Sequence, residues 1–445
     1  MRRSAHLAAA LLLGAGLAAP VAAVPPSVLL LSIDTLRADR LGAFGYSRPT
    51  SPHIDRLLAE SVSFVDAHTV EPLTAPSLVS VLTSLYPHDH AATRNGLRMR
   101  DALPSLPKLL KRRGYRTAAF VGNWTLRNKL TGLEEHFEDY EAILEKKRWF
   151  GLLKGEARAE DLNERALAWL DGTLEEEGER PFFLWVHYVE PHAPYVLQED
   201  AARRLGLADH GLSDSDRYDT EIAAVDEGLG RLLAAVRERV RTEDLIVIFL
   251  SDHGESLGEH GYTGHGRHLF EPTLHVPFSI GWPGHLEPRR IEAPASLLDL
   301  APTIASLLGI ERLAGFQGFD WGPVLDGDAE APKDRVIRVQ AHRGAVQGRD
   351  APTHVRTRGL LEVGLLSGRR KEIFRLGGAK HWLFDLDDDP LELRSLTAEG
   401  SPVSAELAAW LDTVRKGLAT SDELPPNVLD EDDVEALRAL GYLDD

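Results

Sequence analysis

Four apolar runs, each ending abruptly in polar residues, constrain this chain more than any other feature. Residues 27–33 (SVLLLSI) show no polar–apolar alternation. A strand of that kind is buried on both faces, as in a mostly parallel sheet covered by helices. Residues 116–121 (RTAAFV), 182–186 (FFLWV) and 245–250 (LIVIFL) repeat the pattern. Each follows a helix-like stretch: one ending at Gly114, and amphipathic runs over 160–174 and 220–240. Helix, turn, apolar strand and polar loop predict an α/β fold whose large central, mostly parallel sheet is flanked by helices. From 335 onward the strand-like pieces are short, at 336–339 and 360–365, and KHWLFDL leads into an acidic turn. That grammar predicts a smaller C-terminal α+β subdomain, with a small antiparallel sheet under a helix at 404–418. A last short helix is expected at 434–440 in an acidic tail.

In such sheets the functional loops gather at the carboxyl ends of the strands. The four strands end beside Asp34, Asn123, His187 to His192, and Asp252-His253. The fold should bring these distant residues to one edge.

The formal net charge of -19 leaves no basic excess for releasing counterions from phosphates, so nucleic acid is not expected as a partner. It does not forbid an anionic substrate, because a metal ion and helix N-termini supply local positive charge. Arg2 and Arg3, a short apolar run over 7–19 and the small pair Ala22-Ala23 have the form of a secretion signal. The expected location is therefore exported, periplasmic or secreted, with no transmembrane span in the mature chain. There is no cysteine, so no disulfide forms and compartment is not read from thiols.

Three segments carry candidate chemistry. In LTAPSL, Pro76 stands where a helix can start, and the apolar positions that follow recur at helical spacing. Thr74 is thus expected at a helix N-terminus, either as a plain cap or as a hydroxyl whose alkoxide the free N–H groups stabilise. In SDHGE, Asp252 and His253 offer a carboxylate and an imidazole to one cation, and Gly254 is expected to let the chain turn sharply away. Asp34 is the natural third ligand. A metal held there would lower the pKa of a hydroxyl beside it and open covalent catalysis at Thr74. In HYVEPHAPY, two prolines aim His192, which could bind an anion or protonate a leaving oxygen. His260, His265 and His268 follow in a glycine-rich loop.

These segments resemble the sulfatase family, within the alkaline-phosphatase-like superfamily, along nearly all of the mature chain. VLLLSIDTLRADRLGAFGY, LTAPSLVSVLTSLYP, VHYVEPHAPY, YDTEIAAVDEGLGRLL, FLSDHGESLGEHG, GHGRHLFEPTLHVPF, SLLDLAPTIASLLGI and LFDLDDDPLELRSL occur in family order. The resemblance implies metal ligation by Asp34, Asp252, His253 and Thr74, with Thr74 as nucleophile, His192 on the substrate anion or acting as acid, and His265 near a substrate-binding lysine position. It implies a divalent cofactor, and a small-molecule or glycan sulfate or phosphate ester as substrate. It also implies an organisation of signal peptide over 1–23, catalytic domain over 24–334 and C-terminal subdomain over 335–445.

Several positions depart from the family pattern. Thr74 replaces the cysteine or serine that is oxidised to formylglycine, and threonine cannot become that aldehyde. Leu78 replaces an arginine, Asn123 and Thr125 replace a lysine and a histidine, and Thr35 stands where a second aspartate is frequent. His253 replaces an asparagine, which leans the ion from calcium toward manganese or zinc. Relatives with a threonine nucleophile attack phosphorus, so a phosphoryl-group transferase is an alternative, as is an inactive glycan-binding relative.

Overall fold

The computed structural model describes residues 24–148, 153–178, 180–208, 210–345, 354–398 and 400–424. The 1–23 signal and the 434–440 helix lie outside the described residues. The central sheet has eight strands: β1 (Ser27–Ile33), β2 (Val62–Phe64), β3 (Arg116–Val121), β4 (Asp139–Ala142), β5 (Phe182–Tyr188), β6 (Leu245–Ser251), β7 (Phe278–Gly281) and β8 (Arg289–Ile291). Their spatial order is β8-β2-β7-β6-β1-β5-β3-β4. The run from β6 to β4 is parallel throughout, whereas β7 is antiparallel to both β6 and β2.

All seven residues of β1 are buried. Val28 and Leu30 join a core shared with α1 (Thr74–Thr83) and, farther along the chain, with α4 (Leu300–Leu307). Leu29, Leu31 and Ile33 join a second core beneath α2 (Ala159–Glu177) and α3 (Asp214–Arg239). Helices on both faces remove any selection for alternation, which is why the strand reads as a continuous apolar run. Leu162, Ala166 and Leu170 form the buried stripe of α2 at i, i+4 spacing.

The α3 helix begins six residues before the stripe at 220 that marks it in sequence. Its opening turn is polar and is set by a capping box: Ser213 Oγ accepts from Asp216 N at 3.1 Å, and Asp216 Oδ2 accepts from Ser213 N at 3.1 Å.

The C-terminal sheet runs in chain order, β9 (Val336–His342), β10 (Leu360–Ser367), β11 (Arg370–Arg375) and β12 (Lys380–Asp385), antiparallel throughout. Helix α5 (Ala405–Ser421) lays Leu407, Trp410, Val414 and Leu418 on Leu360, Val363 and Leu365. Ser404 caps it, its Oγ accepting from Leu407 N at 3.1 Å. Strand β11 escaped the sequence reading because its inward positions are Lys371 and Ile373, so its alternation is half charged. Lys371 is buried between Glu271, at 2.9 Å, and Glu392, at 2.8 Å.

Candidate active site

Strand register assembles the site. Ile33 pairs with Ser251 on one side and Tyr188 on the other, and Val121 pairs with His187. The next residues along each strand, Asp34, Asp252 and Gly122-Asn123, therefore leave the sheet together. Asp34, Asp252 and His253 each offer a ligand atom, and these atoms all lie within 4.8 Å of one another.

Thr74 is the first residue of α1, and Leu73 holds the cap position without a side-chain cap bond. Thr74 is thus no plain N-cap. Its Oγ1 donates toward Asp34 Oδ1 at 3.4 Å and lies 3.4 Å from His253 Nε2. Ser77, one turn on, fastens the helix to the Asp252-His253 loop by donating from Oγ to Asp252 O at 2.7 Å. Leu78 is fully buried in the core, so the position that holds arginine in the family pattern here packs against the sheet.

The donor set fits a divalent cation. His253 Nδ1 sits 2.9 Å from Gly254 O, and a carbonyl only accepts, so the proton is on Nδ1 and the Nε2 lone pair faces the carboxylates. Burial, followed by nearby His265, pushes the His253 imidazole down to about 3, which keeps it neutral. Asp252 Oδ1 accepts from Thr35 N at 3.2 Å and His253 N at 2.8 Å. Asp252 Oδ2 is buried and has no hydrogen-bond partner. Burial and then the Asp34 charge push Asp252 well above the ordinary carboxylate range. Burial would also raise Asp34, but His187 beside it holds it well below. Two buried carboxylates this close, one with an orphaned oxygen, are an arrangement that a cation would satisfy. A neutral imidazole with two carboxylates suits transition ions such as manganese or zinc.

Three partners of this cluster were not assigned that role from sequence. Asn123 Nδ2 donates to Asp34 Oδ2, while its Oδ1 accepts from Thr125 N at 2.7 Å and Thr125 Oγ1 at 2.8 Å. The Asn123 and Thr125 substitutions thus work as a pair that orients Asp34. His187 Nε2 lies 3.7 Å from Asp34 Oδ2, with the ring fixed by Ser32 Oγ at 2.9 Å. Gly254 serves close packing: its φ is not positive, and a Cβ there would sit 2.1 Å from Pro272 O.

His192 and His265 line a cavity of about 620 Å³ beside the cluster, together with Leu73, Tyr195, Glu255 and Arg217. The His265 ring lies 4.5 Å from that of His253 and 5.2 Å from that of His192, centroid to centroid. His192 Nδ1 donates to Ala193 O at 2.6 Å, which leaves Nε2 as an acceptor in the neutral ring. Burial lowers the His192 pKa. Burial also opposes charge on His265, but Glu255, 3.0 Å from its Nδ1, raises it. The two histidines are therefore driven apart in proton affinity, the usual signature of an acid and an acceptor in one site. His260 and His268 do not enter: His260 stacks on Phe270 and His268 Nδ1 lies 2.9 Å from Glu362.

Comparison with known proteins places this architecture. The chain is 25% identical to mouse steryl-sulfatase, over 88% of this chain and 82% of that protein. It is 26% identical to choline-sulfatase of Rhizobium meliloti, over 87% and 86%, and 27% identical to human arylsulfatase A, over 89% and 84%. A structure solved with its substrate D-glucosamine-2-N,6-O-disulfate superposes with a TM-score of 0.70 at 18% identity, covering 91% of this chain and 100% of that one. Another, solved with a neocarrahexaose, gives 0.68 at 20% identity, covering 94% and 98%. The sulfatase family model matches residues 26–310, and the chain belongs to that family.

Proposed function

We propose that this protein hydrolyses sulfate esters through a covalent Thr74 intermediate. The observation that carries the proposal is Thr74 Oγ1, at 3.4 Å from both Asp34 Oδ1 and His253 Nε2 and next to the orphaned Asp252 Oδ2. Asp34, Asp252 and His253 would hold a divalent cation, manganese or zinc in preference to calcium, whose charge would let the Thr74 hydroxyl lose its proton to solvent.

Deprotonated Thr74 Oγ1 attacks sulfur, and the ester bond from sulfur to the alcohol oxygen breaks. The leaving oxygen takes a proton from His265 Nε2, while Glu255 holds the opposite nitrogen. Water then attacks sulfur with its proton passing to His265 Nε2, and Thr74 Oγ1 departs from the released sulfate. His192 Nε2 accepts a hydrogen bond from that water. The N-terminal turn of α1 stabilises charge on the threonyl oxygen. This path replaces the hydrated-aldehyde route that threonine closes.

The presence of Asp34, Asp252, His253 and His192 supports an enzyme over an inactive binder. The pairing of Thr74 with Asp252-His253 also favours a second reading, attack on a phosphoric ester. Release of sulfate from an aryl sulfate, measured beside phosphate monoester and diester substrates on cation-loaded protein, separates the two. Turnover of the phosphoric esters alone would replace the first reading by the second. Among the described residues no helix is long and apolar enough to cross a membrane, and export through the 1–23 segment is part of the proposal.

A further inference from the structure

Thr74 is not fixed by its side chain alone. Its contacts to Asp34 and His253, 3.4 Å each, are long for hydrogen bonds. Leu73, at the cap of α1, adds no side-chain bond. The place of the hydroxyl therefore depends on the backbone on either side of it.

Both sides are tied to the end of β9, in the C-terminal sheet. On the N-terminal side, Val70 O accepts from Gln340 N at 3.0 Å. Glu71 Oε1 accepts from His342 N at 2.8 Å, and Glu71 Oε2 lies 2.8 Å from His342 Nδ1. Glu71 O in turn accepts from Leu73 N at 2.9 Å and from Thr69 Oγ1 at 3.2 Å. The residue that carries the carboxyl thus also shapes the turn that delivers Thr74. On the other side, Asn95 Oδ1 accepts from Ala75 N at 3.2 Å, and Asn95 N donates to Gly344 O at 3.2 Å. Gly344 lines the cavity, so the C-terminal sheet reaches the site itself.

The Glu71 and His342 side chains are fully buried, and the chemistry above uses neither. Burial pushes the Glu71 carboxyl well above its ordinary range and the His342 imidazole down to about 3. Both are thus neutral, with Glu71 Oε2–H donating to His342 Nδ1 while the carbonyl Oε1 accepts from the His342 amide. Apolar side chains would dock a sheet at a lower desolvation cost. A two-point directional contact does something packing does not: it fixes where residue 71 sits.

We propose that Glu71 is a positioning residue which, clamped by His342 of the C-terminal sheet, sets Thr74 against Asp34 and His253. The placement rests on geometry, and its catalytic consequence rests on the reading of Thr74 as nucleophile. Misplacing a reacting group by about 1 Å can cost about 100-fold in rate.

The test uses the full, cation-loaded chain and four substitutions. Glu71→Ala and His342→Leu remove the side-chain contact. Glu71→Gln and His342→Asn keep it, because each amide offers a donor and an acceptor at the same points. The removing pair is expected to lower kcat on an aryl sulfate by about 10- to 100-fold per folded chain, with KM and cation affinity unchanged. The keeping pair should recover most of that loss, which a merely structural role would not predict. Crystal structures of parent and Glu71→Ala should show Thr74 Oγ1 displaced from Asp34 and His253. If Glu71→Ala does not fold, His342→Leu carries both readings. Full kcat per folded chain in the removing pair, no recovery in either amide variant, or an unmoved Thr74 overturns the clamp. Undiminished sulfate release by Thr74→Ala, or none by the parent, would refute the hydrolase reading instead. A displaced Thr74 in Glu71→Ala would then still establish the clamp.

Discussion

Replacing Asp252 by asparagine should stabilise the cation-free protein. Asp34 and Asp252 present oxygens within 4.8 Å of each other, both fully buried. Two unit charges at that separation repel by roughly 3.5 kcal/mol at an effective dielectric of about 20. The protein relieves part of this by holding a proton on Asp252, whose carboxyl is pushed well above its usual range. The net gain from Asp252→Asn in chelator is therefore expected at about 1–3 kcal/mol near neutral pH. The sign with pH follows from the same shift. A carboxyl raised in the folded state binds more protons than its unfolded form, so its contribution is fully present below the unfolded pKa and is lost as pH rises through the folded one. Parent protein in chelator should lose stability through this group as pH rises, and the asparagine variant should not. Saturating manganese should invert the ranking, because the cation needs the ionised carboxylate. The assay is denaturant unfolding at several pH values, with chelator and with manganese. A variant no more stable than the parent in chelator, or one that manganese stabilises as much as the parent, would refute the reasoning.

Other outcomes are expected from the same structure. Asn123→Ala should weaken cation binding by about 10- to 100-fold, read by competition with a chromophoric chelator, since Asn123 orients Asp34 from outside the ligand set; unchanged affinity would exclude that role. Glu255→Gln removes the charge that raises His265, so the alkaline limb of the kcat profile should move to lower pH; an unmoved limb would remove His265 as the acid. Lys371→Met leaves Glu271 and Glu392 facing each other without their cation and should cost about 3–5 kcal/mol in denaturant unfolding. A loss below about 1 kcal/mol would show that the network is dispensable.

The strand ends were legible because burial on both faces writes a continuous apolar run and the functional residue follows directly, as with Ile33-Asp34 and Ser251-Asp252. The three-residue strands β2 and β8 carry too few positions for any period, and antiparallel β7 looks like one more apolar run. His187 is a strand residue in sequence, and only the register of β5 against β1 turns it toward Asp34. Asn123 and Thr125 read as losses, whereas in three dimensions they form one hydrogen-bonded unit on Asp34.

The covalent claim is tested most directly by mass spectrometry of the cation-loaded chain, quenched in acid during turnover of a slowly hydrolysed aryl sulfate. A sulfated peptide containing Thr74, absent from Thr74→Ala and discharged on chasing without substrate, is the predicted result. Sulfate released at an undiminished rate by Thr74→Ala, with no sulfated threonine in the parent, would contradict it.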